Sequence, residues 1–273
     1  MVFFTLKSLL AVGLFCSVPM LRQLSSRPGC AYDRKGSFWN TRKNTDPMLT
    51  ATYTLHIAFT DAQLQRLYAT GANVIIAKPG PGSPYVSWQV FRPLRNNTLS
   101  WQEAYGIYIA DAPICDGAGL VPVAGVPSGA VMDRLYTLDK KGNISGPGTD
   151  GLPGAFALLN NWRRGRGCLT TGLFQNALIN GREVTGNAVS AVPVLFQNTA
   201  VIRPAPTLQL WVQSGVVSNT VITQVESPVT TLTFGEGRER LAVAYDADAG
   251  IFIPAATGDY AAAVPIPELG MVW

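Results

Sequence analysis

The residues with the clearest chemical potential are Asn160-Asn161-Trp162-Arg163-Arg164-Gly165-Arg166-Gly167. Guanidiniums at Arg163, Arg164 and Arg166 stand beside the indole of Trp162. A guanidinium offers planar, bidentate donors to a carboxylate or phosphate, and an indole prefers the boundary between apolar and wet surroundings. The stretch reads as a candidate site for an anion or a lipid headgroup, and a solvated loop is the plainer alternative. Trp211 is the second candidate. It alternates with the apolar set Leu208, Leu210 and Val212 and shares a face with Gln209 and Gln213. An exposed Trp between amides can stack on a sugar ring, whereas cover by another sheet or a loop would make it structural.

Other constellations are weaker. Asp246-Ala247-Asp248-Ala249-Gly250 spaces Asp246 and Asp248 as a small calcium loop would, since alternate oxygens can curl around a hard cation. The Glu that completes such a loop is missing downstream, and a turn after a strand accounts for the same letters. Glu103 and Asp111 are the most suggestive carboxylate pair for hydrolysis, which needs two acids facing one cleft. With fifteen acids after residue 47, some pair always looks suitable.

Much chemistry is excluded. His56 is the one histidine, so a Ser-His-Asp triad would depend on it, and sites with two or three His ligands cannot form. There is no Gly-x-Ser-x-Gly elbow, no Walker loop and no dinucleotide fingerprint. No C-x-x-C occurs among the four cysteines. Cys16 and Cys30 lie in the N-terminal region. Cys115 and Cys168 could form one bridge or remain buried free thiols. No cofactor is expected.

These residues must be carried by a sheet. Tyr53, Leu55, Ile57 and Phe59 alternate with Thr52, Thr54, His56 and Ala58. Val86, Trp88 and Val90 alternate with Ser87 and Gln89, and Leu241, Val243 and Tyr245 alternate with small residues. Period two with β-branched and aromatic residues marks half-buried strands. Asn180-Gly181 predicts a type I′ hairpin, because both central residues need φ > 0. Lys140-Lys141-Gly142-Asn143 predicts a hairpin tip, and Gly235-Glu236-Gly237 predicts a hairpin joining Val229–Phe234 to Glu239–Tyr245. Thr60 and Gln63 have capping-box spacing ahead of Leu64 and Leu67, which predicts one short helix ending at Gly71. The fold expected is all-β: an antiparallel β-sandwich, immunoglobulin-like or jelly-roll-like, with one short helix near its start. The Gly- and Pro-rich run 146–154 is a candidate subdivision. The word Leu173-Phe174-Gln175-Asn176-Ala177, partly repeated from Leu195, hints weakly at duplication.

The chain has 273 residues, 14% of them charged and 47% apolar, and a formal charge of +4. That composition belongs to a folded chain rather than a disordered one. Residues 1–47 hold seven bases and two acids, and the remainder is nearly neutral. The body therefore has no electrostatic footprint for nucleic acid. Residues 1–21 read as a signal or targeting segment, with Lys7 ahead of an apolar run too short to span a membrane. Bulky Phe15 and Pro19 make a poor cleavage site, and Arg22, Arg27, Arg34 and Lys35 follow closely in the basic linker 22–47. Residues 48–273 form the domain. Secretion is the expectation, and a start at Met48 would place the protein in the cytoplasm.

Function is expected to be non-enzymatic: a β-sandwich that binds a ligand, such as a carbohydrate or lipid headgroup, or that self-associates as a homo-oligomer. A lectin-like or surface module would fit. The alternatives are a membrane-active pore former built on Thr-rich strands such as Val229–Phe234, and a carboxylate-dependent hydrolase.

Overall fold

A computed structural model describes residues 51–80, 84–164 and 167–255. The targeting segment and basic linker read from the sequence lie outside the described residues, as does Arg166. In chain order, the elements begin with β1 (Thr52–Ala58), α1 (Asp61–Ala69), β2 (Asn73–Ala77), β3 (Tyr85–Phe91), β4 (Asn96–Ala110) and β5 (Pro122–Val126). Next come β6 (Arg134–Leu138), β7 (Ile144–Ser145), β8 (Phe156–Asn160), β9 (Cys168–Ile179), β10 (Arg182–Ala188) and β11 (Val192–Leu195). The chain continues through β12 (Thr199–Ile202), β13 (Thr207–Gln213), β14 (Val221–Ile222), β15 (Thr230–Thr233), β16 (Arg240–Asp246) and β17 (Ile251–Pro254).

The fold is an all-β, sandwich-like arrangement of three sheets. The largest runs β10-β9-β4-β1-β16-β17, with β11 beside β9 and β5 beside β4. A second runs β14-β3-β2-β13-β15, and a third β12-β8-β6-β7. Their inner faces share one core. Leu55 and Ile57 of β1, Trp101 and Ile107 of β4, Val74 and Ile76 of β2, and Leu138 and Leu158 of the third sheet all contribute to it. Burial of such side chains is the main driving force for the assembly.

Local signals act as their chemistry requires. Thr60 Oγ1 accepts from Gln63 N, and Gln63 Oε1 accepts from Thr60 N at 2.8 Å, closing the capping box. Asn180 and Gly181 take φ of 51° and 80° in the β9–β10 hairpin. Asp139 Oδ1 accepts from Lys141 N and Asn143 N to shape the β6–β7 turn.

The strands pair antiparallel apart from β1 with β16 and β6 with β8, which run in parallel. Three expectations are corrected. Gly235-Glu236-Gly237 does not join a hairpin: β15 pairs with β13, whereas β16 pairs with β1 and β17. That turn carries the chain from one sheet into another. The run 146–154 is no boundary, since β6 and β8 on either side of it are direct neighbours. The repeated word takes two conformations, being mid-strand in β9 and a turn after β11, where Gln197 has φ 62°.

Trp88, Val86 and Val90 also do not share one face. Ile76 pairs with Gln89 and Ala77 with Ser87, so the register skips Trp88. Such a bulge reverses the alternation. Trp88 enters the main core and Val90 packs on the opposite side of the sheet.

Candidate functional site

Where β4 ends, the chain turns away through Asp111-Ala112-Pro113-Ile114. Thr170 Oγ1 donates to Ala112 O at 2.6 Å and fixes this loop against β9. On the other side, the loop after β8 carries Trp162 and Arg164. Asn160 anchors that loop: it is fully buried, its Nδ2 donates to Val194 O, and its Oδ1 accepts from Trp162 N. Between the two loops lies an open pocket of about 670 Å³, lined by Asp111, Ala112, Pro113, Ile114, Arg164, Cys168, Leu169, Thr170 and Pro193. This volume falls within the usual range for small-molecule sites, roughly 300–1,000 Å³.

The walls are mostly apolar, and one ion pair stands among them. Arg164 Nε lies 2.6 Å from Asp111 Oδ2, with both side chains 43% exposed. The Arg164 guanidinium carbon also sits 4.8 Å from the centre of the Trp162 ring. Trp162 itself is half-buried and packs on the main core. A guanidinium flanked by an indole face and a carboxylate has a defined orientation, which a freely solvated arginine lacks.

The candidates read from sequence divide as follows. Trp162 and Arg164 meet at the pocket. Arg163 turns away, its guanidinium carbon 5.0 Å from the Phe196 ring. Trp211 is fully buried, which corrects the expectation of an exposed stacking face. It packs with Ile75, Ala77 and Ile222 and is covered by Val216, Val225 and Val229. Its indole N–H donates to Gln213 Oε1 at 2.9 Å. The second sheet is thus apolar on both faces around Trp211, which the two neighbouring glutamines conceal in the sequence.

Asp246 and Asp248 form the turn between β16 and β17. Asp246 Oδ1 accepts from Asp248 N and Ala249 N, so this carboxylate is turned onto its own backbone. Among the described residues no cluster of three or more metal-ligating side chains occurs. Cys115 and Cys168 are free and exposed rather than bridged or buried. Glu103 and Asp111 lie eight residues apart along an extended chain, roughly 25 Å by strand rise. Two carboxyls that share a glycoside must be within about 10 Å, so this pair faces no common cleft. Glu103 contacts Lys78 and Tyr105 instead.

His56 is half-buried on β1, with Nδ1 3.2 Å from Thr98 Oγ1. Burial lowers its pKa, and nearby Arg240 lowers it further. A lowered folded-state pKa means that the unfolded chain takes up the proton first as pH falls. Stability therefore declines as pH drops through about 6.5. Being the one histidine, His56 should account for this step. The melting temperature is expected to fall between about pH 7.5 and about pH 5.5, and His56→Gln should flatten the decline. An unchanged profile in the variant would assign the step elsewhere.

Ile114, Cys168 and Pro193 were not distinguishable in the sequence as site residues, because their convergence depends on strand pairing. Asp111 stood out, but with the wrong partner. Compared with protein-family models, curated proteins and solved structures, the chain matches none.

Proposed function

We propose that the protein is a non-enzymatic binding protein for a small amphipathic anion: an apolar body with a carboxylate or phosphate head. The observation that carries this reading is the pocket of about 670 Å³ with Arg164 among apolar walls. Ala112, Ile114, Leu169 and Pro193 suit an acyl chain or aromatic body. The Asp111 contact uses Arg164 Nε, and the terminal nitrogens of the fork are the ones suited to an incoming anion. Asp111 competes with that anion for the same guanidinium. The carbohydrate alternative is weaker, since Trp211, on which it rested, is buried.

The reading assigns opposite effects to the two partners of one ion pair. Arg164→Gln removes a charge-assisted contact worth about 1.5–3 kcal/mol, so decanoate should bind roughly ten- to a hundredfold more weakly. Asp111→Asn removes the competitor, and decanoate should bind more tightly. Titration calorimetry with decanoate checks both. Equal affinities across wild type and the two variants would sink the assignment.

A further inference from the structure

Lys78 directly follows β2 and is only 6% exposed. Its Nζ lies 3.1 Å from Glu103 Oε1 on β4. Three rings surround this nitrogen, with centroids 5.1 Å (Trp101), 5.2 Å (Trp88) and 5.6 Å (Tyr105) away. β2 belongs to the five-stranded sheet and β4 to the eight-stranded one, so the pair spans two layers of the sandwich. The carboxyl is held by two further donors. Trp101 Nε1–H donates to Oε1 at 3.2 Å, and Tyr105 O–H donates to Oε2 at 2.5 Å. The outer side of Glu103 opens on a pocket of about 190 Å³, walled by Tyr53, Pro204, Ala205, Pro206 and Phe234.

We propose that Lys78 and Glu103 condense into an intramolecular amide that ties the two sheets together covalently. Proton transfer within the pair yields a neutral amine and a neutral carboxyl. The Nζ lone pair then attacks Glu103 Cδ and the N–C bond forms. The C–O bond to one carboxyl oxygen breaks, and that oxygen departs as water with the carboxyl proton and one proton from Nζ. Atoms and electrons balance with no oxidant, reductant or cofactor, and the water can leave through the pocket beside Phe234.

Several features favour this step over a permanent ion pair. Burial lowers the Lys78 pKa to about 8, although Glu103 partly raises it, so losing the amine's proton costs less than on a solvated lysine. Burial, reinforced by the charge of Glu103, pushes the Tyr105 phenol far above its ordinary range, which keeps it a donor. Trp101 and Tyr105 are therefore placed to stabilise the oxyanion that develops on attack. Fixing the reactants at contact distance can supply effective molarities of about 10⁵–10⁸ M, which lowers the barrier to attack. The product also removes a buried charge, whose desolvation is otherwise costly.

Peptide mapping of the full chain by mass spectrometry tests the proposal. The expected result is a branched peptide joining the Lys78 and Glu103 segments, lighter by one water than the two linear peptides together. Tyr105→Phe keeps the ring but loses the donor, so the branched peptide should accumulate more slowly after synthesis. Lys78→Met should yield only linear peptides. The wild-type digest decides the matter even if a variant fails to fold. Two intact linear peptides from folded wild-type protein would overturn the proposal, as would a water loss mapped elsewhere.

Discussion

Trp211→Ala is expected to lower the free energy of unfolding by about 3–5 kcal/mol, the usual range for truncating a fully buried Trp. The indole has no exposed surface and packs edge-on to Tyr85, with ring centroids 5.7 Å apart. It also fills the centre of a small cluster beneath Val216, Val225 and Val229. Truncation leaves a cavity that β13 cannot close, because Leu208, Leu210 and Val212 on its other face are committed to the main core. The Gln213 amide would lose its donor as well. In a body of this size, 1 kcal/mol corresponds to about 2–4 °C in melting temperature, so a drop of roughly 10 °C is expected. Decanoate affinity, measured below the transition, should be unchanged. An unaltered melting temperature together with lost ligand binding would mean that Trp211 is a surface residue after all.

Gly172→Ala should be comparably severe. An added Cβ on this β9 residue would lie 1.9 Å from the Ser190 carbonyl oxygen and 2.6 Å from Tyr108 Cε1. Neither neighbour is free to retreat. The Tyr108 hydroxyl donates to Ser190 O at 2.7 Å, and Ser190 Oγ accepts from Leu173 N. β9 is itself held between β4 and the pair β10 and β11. The backbone must therefore move, with an expected loss of roughly 3 kcal/mol, the upper part of the overpacking range. Gly119→Ala is the matched control: no atom lies within 4 Å of its added Cβ, and a change within about 0.5 kcal/mol is expected. Chemical denaturation of the two variants side by side gives the comparison. Equal midpoints would show that β9 and the Ser190 segment are not this close.

What was legible in the sequence was local. Thr52–Phe59 assigned its inward face correctly because period two needs no information beyond the strand. The Thr60/Gln63 cap and the Asn180-Gly181 turn were equally readable, since each is satisfied within a few residues. Partners distant in sequence were not readable. Gly235-Glu236-Gly237 has hairpin chemistry, yet β16 is captured by β1, nearly two hundred residues earlier. The amide neighbours of Trp211 suggest solvent contact, whereas the centre of that sheet around Trp211 is covered on both faces. Trp88 broke its alternation through one skipped residue in pairing.

The candidate site divides in the same way. Trp162 and Arg164 stood out by residue type. The carboxylate opposite Arg164 lies 53 residues away, and the apolar walls come from the ends of different strands. Lys78 and Glu103 meet only because two sheets close over them. None of these pairings leaves a trace in spacing or composition.

Calorimetric titration of the wild-type protein with decanoate, repeated with Arg164→Gln and Asp111→Asn, bears on the binding function itself. Saturable binding at one site, weakened by the first variant and strengthened by the second, is the expected result. No heat of binding with the wild type, or affinities indifferent to both substitutions, would contradict a ligand site between the Asp111 and Arg164 loops.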